Sequence, residues 1–508
     1  MTHFKLHIGI THYQPGWEII LSQIGVDWSI CNFSSSLSSN DFSVIILNGY
    51  VNEETAYSLQ RYVKSGGAVL TINGYGKNIF FKTSTSRYYS TLHPNEVEDG
   101  MWHSLFDFPG TFQTEENPSI DFEKGFVLSL PFDVNALIIS TNAVRKNFWF
   151  EGVLRYPNEI TAGVSKGGLR KLVQHKLMRL HHFRKLPFIH KWYFPQQAQT
   201  VFTFRVDTDS GTQEQLTTLF ELCRQFVIPT EWFVDVQSHE QQLSLFRSFN
   251  SQEIGVHCYR HKIFYDYEQD KNNFSTAKQL LERQDIIPNG IALPYGTWTE
   301  TLGKIIQELH FPFSSEFALN YDDLPFFPFC ENQFSTTLQL PIHPVSIGIM
   351  KRARFTEDEM REYYLHLIDR YAVFREPICL YHHPTHLHFS VFKSVFEKIR
   401  NLNILTLSYS QYNDWWRKRL LTNPSYEYDA TKNSVQVKGN MQESVHLRLT
   451  LHDEEIFIPS HGIFSLEKLS KRKELRSHTI PQYAKKIRRF DWRHLLINIL
   501  EKKYKARQ

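Results

Sequence analysis

The chain has 508 residues, of which 41% are hydrophobic and 15% aromatic, and its formal net charge is +3. That length exceeds one ordinary core and predicts two or three domains with ample core material, while the charge points to no particular class of partner. The five cysteines (Cys31, Cys223, Cys258, Cys330 and Cys379) are odd in number and scattered without a CxxC, which excludes a disulfide frame. No run approaches the roughly 20 apolar residues that a bilayer span needs, and the N-terminus enters a strand pattern without a leader-like core or cleavage site. A soluble, cytoplasmic protein is expected.

From the N-terminus, residues 5–73 alternate strand and helix. Strand patterns at 6–11, 27–31, 43–47 and 68–72 enclose helical patterns at 15–24 and 53–64, the second closed by Gly66-Gly67. Such alternation predicts a doubly wound parallel sheet. The stretch Tyr62-Val63-Lys64-Ser65-Gly66-Gly67-Ala68-Val69-Leu70 resembles the corresponding turn of class I glutamine-amidotransferase-like domains, which implies a flavodoxin-like sheet over residues 1–163. Those enzymes need a nucleophilic cysteine in a tight elbow. Neither Ser65-Gly66-Gly67 nor Gly74-Tyr75-Gly76 carries one and Cys31 falls in a strand, so a non-catalytic structural or ligand-binding domain is expected. Residues 84–125 lack clean periodicity, and a strand returns at 125–132.

Residues 164–192 carry Lys166, Arg170, Lys171, Lys176, Arg179, Arg184, Lys185 and Lys191 without an acid, while Leu169, Leu172, Val173, Leu177 and Leu180 recur at helical spacing. A linking helix packing its leucines between two domains, assigned to 164–196, is favoured over a membrane-surface or acidic-polymer contact. Pro187 and Pro195 mark the entry to the next domain, residues 197–418.

There, strands at 201–206, 230–236, 254–256 and 291–293 alternate with helices at 213–226, 240–248, 276–283 and 299–309, which suggests a barrel-like parallel sheet. Asp207 and Asp209 follow the first strand two residues apart, and residues at that spacing on a strand share a side. His257 and His261 follow the third strand, and a spacing of four stacks them on one face if the chain turns helical there. Each pair is common alone in a chain with 24 histidines. Together they form a donor set that holds a divalent ion and leaves one carboxylate free to take a proton. Leu293-Pro294-Tyr295-Gly296 offers a rigid turn and a backbone amide, Ser314-Ser315-Glu316 an acid at a strand exit, and Ile378-Cys379-Leu380-Tyr381-His382-His383-Pro384 an apolar strand ending in two imidazoles.

In that order these motifs resemble a NodB-homology polysaccharide deacetylase domain, carbohydrate esterase family 4, over residues 200 to 415. The resemblance implies a central distorted (β/α) barrel and a metal-dependent hydrolase of carbon–nitrogen bonds, with Zn2+ as the expected cofactor. It implies Asp207 as base, Asp209, His257 and His261 as metal ligands, and His383 or His382 as acid, with His383 favoured because it precedes Pro384. The Tyr295 amide would stabilise the oxyanion, while Arg205, Pro294 and Glu316 would lie at the substrate. Ala292 stands where the family's arginine is expected and Cys258 where a hydroxyl residue is usual; Arg205 or Arg260 could supply the missing charge.

The expected reaction is removal of an N-acetyl group from an acetamido sugar or polysaccharide precursor. The rivals are a degenerate, non-catalytic carbohydrate-binding or scaffold protein and an amidase acting on a non-sugar C–N bond. Residues 419–467 predict a small β module with a turn at Lys438-Gly439-Asn440. Residues 468–508 form a basic helical tail in which Phe490, Trp492, Leu495, Leu496, Ile499 and Leu500 interleave with lysines and arginines. A peripheral membrane anchor serving a lipid-linked glycan and a solvated or docking tail stand level. Nucleic-acid binding is not expected, since no recognised fold accompanies the charge.

Overall fold

The computed structural model describes residues 3–33, 37–80, 86–89, 112–115, 124–130, 132–146, 149–150, 154–155, 158–440 and 444–471. The irregular stretch expected at 84–125 and the basic tail expected at 468–508 lie almost wholly outside the described residues. No described helix is long and apolar enough to cross a membrane.

The N-terminal sheet places its strands in the spatial order Trp28–Ile30, Ile8–Ile10, Val44–Leu47, Ala68–Ile72 and Phe126–Leu130, all parallel. The order is 2-1-3-4-5, and the apolar runs VIIL and AVLTI are buried throughout, as strands covered on both faces require. Helix Pro15–Ile24 opens with proline at its first turn and stops at Gly25, whose φ of 85° suits glycine. Asn52 caps helix Glu53–Lys64 by accepting from the Thr55 N–H. Cys31 is buried and its thiol is pushed up to about 12 by burial, the opposite of what a nucleophile needs.

Helix Lys166–Phe183 packs its leucines into a core shared with Trp298, Ala318, Leu319 and Phe326. Lys166, Arg170 and Lys171 turn inward. Arg170 Nε lies 2.7 Å from Asp323 and Lys171 Nζ 2.9 Å from Glu376. Lys166 is pushed down to about 8 by burial and donates to the Ile138 carbonyl at 2.8 Å. Buried charge needs such partners, and they come from Ile138 on one side of the helix in the chain and from Asp323 and Glu376 on the other.

In the second module, strand Val201–Asp207 pairs in parallel with Ile378–His382 on one side and Thr230–Asp235 on the other. The series continues through Glu253–Cys258, Ile291, Phe313–Ser314 and Leu338–Gln339. The His343 N–H then bonds the Cys379 carbonyl in Ile378–His382, where the series began. The helix expected at 276–283 starts at Tyr267, because the Asp266 side chain caps it by accepting from the Gln269 N–H.

The C-terminal strands form two antiparallel sheets, and each borrows a strand from far upstream. His3–Lys5 pairs with Asn423–Asp429, and Phe188–Lys191 pairs with His446–Leu451. Leu6, Ile189, Tyr426, Val437, Leu447 and Ile458 share the core between them. Gly439 lies within strand Ser434–Asn440 and not in a turn; the reversal falls at residues 430–433.

Two arginine clusters tie this region to the rest. Arg419, fully buried, donates to the carbonyls of Ser22, Gln23 and Ile24 at the end of the first helix and to those of Lys191 and Trp192. Those helix-terminal carbonyls have no partner within their own helix, so the guanidinium supplies a cap from 395 residues away. Glu455 accepts from Arg375 at 2.6 and 2.9 Å and from Arg448 at 2.8 Å. Burial pushes the Glu455 carboxyl up, but the two guanidiniums outweigh it and bring it from 4.5 to about 2. Because the folded value is the lower one, this stabilisation is complete above about pH 4.5 and vanishes as pH falls towards 2. Glu455→Gln is expected to melt below the wild type at neutral pH, with the gap narrowing through that acid window in calorimetry.

Candidate metal centre

The carboxyl end of strand Val201–Asp207 is the base of the site. Alternation along the strand turns Arg205 and Asp207 to the same interior side, where the Arg205 guanidinium lies between the rings of Phe233 and Tyr381 at 5.4 and 5.3 Å. Arg205 Nη2 lies 3.0 Å from Asp207 Oδ2, while Asp207 Oδ1 is buried without a hydrogen-bond partner. Burial disfavours the guanidinium charge, and Asp207 outweighs it, so the arginine is held above its ordinary range.

Asp209 reaches the same site by a different route from the one expected. The strand ends at Asp207, and Asp209 stands in the following turn at φ 44°, a left-handed conformation that is costly for a non-glycine residue and typical of functional sites. The Asp235 N–H donates to Thr208 Oγ1 at 3.0 Å and helps fix that turn.

His257 sits in strand Glu253–Cys258, and its Nδ1–H donates to the Ala292 carbonyl at 2.5 Å, which leaves the Nε2 lone pair facing Asp209. His261 follows through a bend and not the helical turn expected. The Asn273 side chain clamps that bend by accepting from the Arg260 N–H at 2.7 Å and donating to the carbonyls of Arg260 and Lys262.

Asp209 Oδ1 is 3.6 Å from His257 Nε2 and 3.3 Å from His261 Nε2, and the two ring nitrogens are 3.1 Å apart. Among the described residues, these three form the cluster able to hold a metal ion. The set fits a divalent ion. Asp209 Oδ1 is buried and has no hydrogen-bond partner, burial pushes His257 down to about 4 so that it is neutral, and one carboxylate with two imidazoles is a usual catalytic donor set. Burial pushes Asp209 up, but His383 and His261 outweigh it and hold it below the ordinary carboxylate range.

His383 completes the group, with Nε2 3.9 Å from Asp207 Oδ2 and 3.7 Å from Asp209 Oδ2. His382 points the other way along the strand, into a core formed with Phe389 and Phe392, and burial keeps it neutral. Tyr295, at φ 61° after Pro294, is 66% exposed and packs its ring 5.0 Å from His261. Pro294 is buried beneath it.

Two expectations are corrected by burial. Arg205 and Glu316 are both inaccessible to solvent, so neither side chain meets a ligand entering from outside. Glu316, pushed up to about 7 by burial, accepts instead from the Leu293 N–H at 3.2 Å and supports the turn that carries Tyr295. Arg205 is the guanidinium beside Asp207, and the Ala292 carbonyl accepts from His257.

Three neighbours were not anticipated. Asp235, at the end of its own strand, lies 3.9 Å from Cys258 Sγ and helps hold the His261 proton. Its strand-end position is the signal that singled out Asp207. His386 packs 4.4 Å from His383, a His-x-x-His spacing visible in the chain, and buried His239 lies against the Thr208–Asp209 backbone.

No protein-family model matches the chain, and no curated protein matches it. Solved structures do. A protein assigned as a polysaccharide deacetylase from Mycobacterium smegmatis is 15% identical, with a TM-score of 0.37 over 45% of this chain and 93% of its own. An allantoinase, PuuE, is 14% identical, with a TM-score of 0.37 over 44% and 92%. A family 4 carbohydrate esterase from Streptomyces lividans, solved in complex with acetate, is 14% identical, with a TM-score of 0.28 over 41% and 92%.

Proposed function

We propose that the chain is a metal-dependent hydrolase that removes the acetyl group of an acetamido sugar, built on a distorted (β/α) barrel of the NodB-homology kind. The observation that carries this reading is the convergence of Asp209, His257 and His261 beside an independent acid and imidazole, Asp207 and His383. When bound, the divalent ion, Zn2+ by its nitrogen-rich donor set, would supply Lewis-acid polarisation of the acyl oxygen and of water.

The chain's own groups account for the proton movements. Arg205 fixes one oxygen of Asp207, leaving Oδ1 to take the proton of a water attacking the amide carbon. The Tyr295 amide, on its rigid Pro294 turn, faces the oxyanion that develops. His383 gives a proton to the nitrogen as the C–N bond breaks, releasing acetate and a sugar amine.

The test is metal analysis combined with acetate release from a panel of acetamido sugars, nucleotide- and lipid-linked glycans, and non-sugar amides. About one divalent ion per chain is expected, falling close to zero in His257→Ala and Asp209→Ala. Release from a sugar substrate supports the reading. Release from non-sugar amides alone would transfer it to the amidase class, and bound metal without any turnover would make the chain a binding protein.

A further inference from the structure

His257 is aimed by the hydrogen bond of its second ring nitrogen, but His383 has no such hold. Its Nε2 lies 3.9 Å from Asp207 Oδ2 and 3.7 Å from Asp209 Oδ2, while its Nδ1 is buried without a hydrogen-bond partner. An imidazole free to turn about its Cβ–Cγ bond loses the aim of Nε2, and a misplacement of about 1 Å at a reacting group can cost about 10²-fold in rate. Packing must therefore fix this ring.

Two rings meet it. Tyr381, two residues earlier, packs with its centroid 5.3 Å away, and its hydroxyl is tied to the Pro344 carbonyl at 3.2 Å. His386 packs closer, at 4.4 Å with an interplanar angle of 56°.

His386 is in turn seated by its own surroundings. Its N–H donates to the His383 carbonyl at 2.9 Å, which closes the turn that Pro384 begins. Leu387 and His388 follow at φ 59° and 55°, two successive left-handed conformations that are costly for non-glycine residues and persist where the surroundings enforce them. Helix Ile347–Arg352 supplies the seat. A Cβ at Gly348 would overlap the His386 ring, and Lys351 Nζ donates to the His386 carbonyl at 3.1 Å. Burial pushes His386 down to about 3, so it meets His383 as a neutral ring and brings no charge.

We propose that His386 is a positioning residue for the acid of the metal centre: its ring, set on Gly348, packs against His383 and keeps Nε2 aimed at the carboxylates and the leaving nitrogen between them. This rests on the hydrolase reading, in which His383 protonates that nitrogen.

The test combines kinetics with crystal structures of the metal-loaded full chain. His386→Ala is expected to lower kcat for acetate release about 10- to 100-fold, with KM, bound metal and melting temperature near the wild-type values. Gly348→Ala, which displaces the ring without removing it, should do the same and carries the test if His386→Ala fails to fold. His386→Phe restores a flat ring and should recover most of the rate. The wild-type structure should hold His383 in one ring orientation, and His386→Ala should show more than one. An unchanged kcat, a His383 ring unmoved in both alanine variants, or no recovery in His386→Phe would overturn the clamp while leaving the hydrolase reading in place. If no substrate releases acetate, the structures decide alone: a His383 ring that swings free only when His386 is removed or displaced would uphold the clamp and sink the hydrolase.

Discussion

Asp207→Asn is expected to lower acetate release by about 10²- to 10⁴-fold, the usual worth of a positioned general base, while bound metal stays at the wild-type level. The side chain keeps its shape and only loses its capacity for a proton. Asp207 is 3% exposed and outside the Asp209–His257–His261 cluster, so the exchange leaves the donor atoms in place. Measuring metal content and acetate release on the same preparation separates the roles. Loss of metal would make Asp207 a ligand, and an unchanged rate would place the base elsewhere. Arg205→Met should follow Asp207→Asn in activity, since it removes the guanidinium 3.0 Å from that carboxylate.

Arg419→Met is expected to have the largest effect on stability. It strips the donors from five carbonyls in a region closed to solvent, and each buried group left unsatisfied costs about 1–3 kcal/mol. Relaxation and water entry recover part of that sum, so a loss above roughly 3 kcal/mol is expected, enough to lower the urea midpoint visibly. Arg419→Lys should rescue little, because one ammonium has three donors and cannot span the carbonyls of the helix end and the strand together. A variant that unfolds alongside the wild type would show that water replaces the guanidinium at low cost.

The Asp209–His257–His261 cluster was legible in the sequence because its parts are local. Asp207 ends an apolar run, and His257 and His261 repeat at a ligand spacing after another. The choice between His382 and His383 was also within reach, since strand parity sets Tyr381 and His383 on one face and Leu380 and His382 on the other. What supports the site was less visible. Arg205 lies 3.0 Å from Asp207, and an ion pair between residues two apart carries no signature distinguishing it from an exposed charge. Asn273 clamps the His261 bend from a helix whose start at Asp266 was missed, and the pairing of His3–Lys5 with Asn423–Asp429 leaves no local trace at all.

That pairing has a consequence for biosynthesis. A chain leaves the ribosome from its N-terminus, and early modules ordinarily fold while later ones are still being made. Here the partner of the first strand emerges more than 400 residues later, and the Arg419 donors for the first helix 395 residues later. The N-terminal parallel sheet can assemble early, but strand His3–Lys5, which belongs to a C-terminal sheet, and the end of the first helix wait until synthesis is nearly complete. A chain that has emerged only as far as about residue 415 should therefore hold a folded second module beside an N-terminal module still open to proteases at residues 3–25.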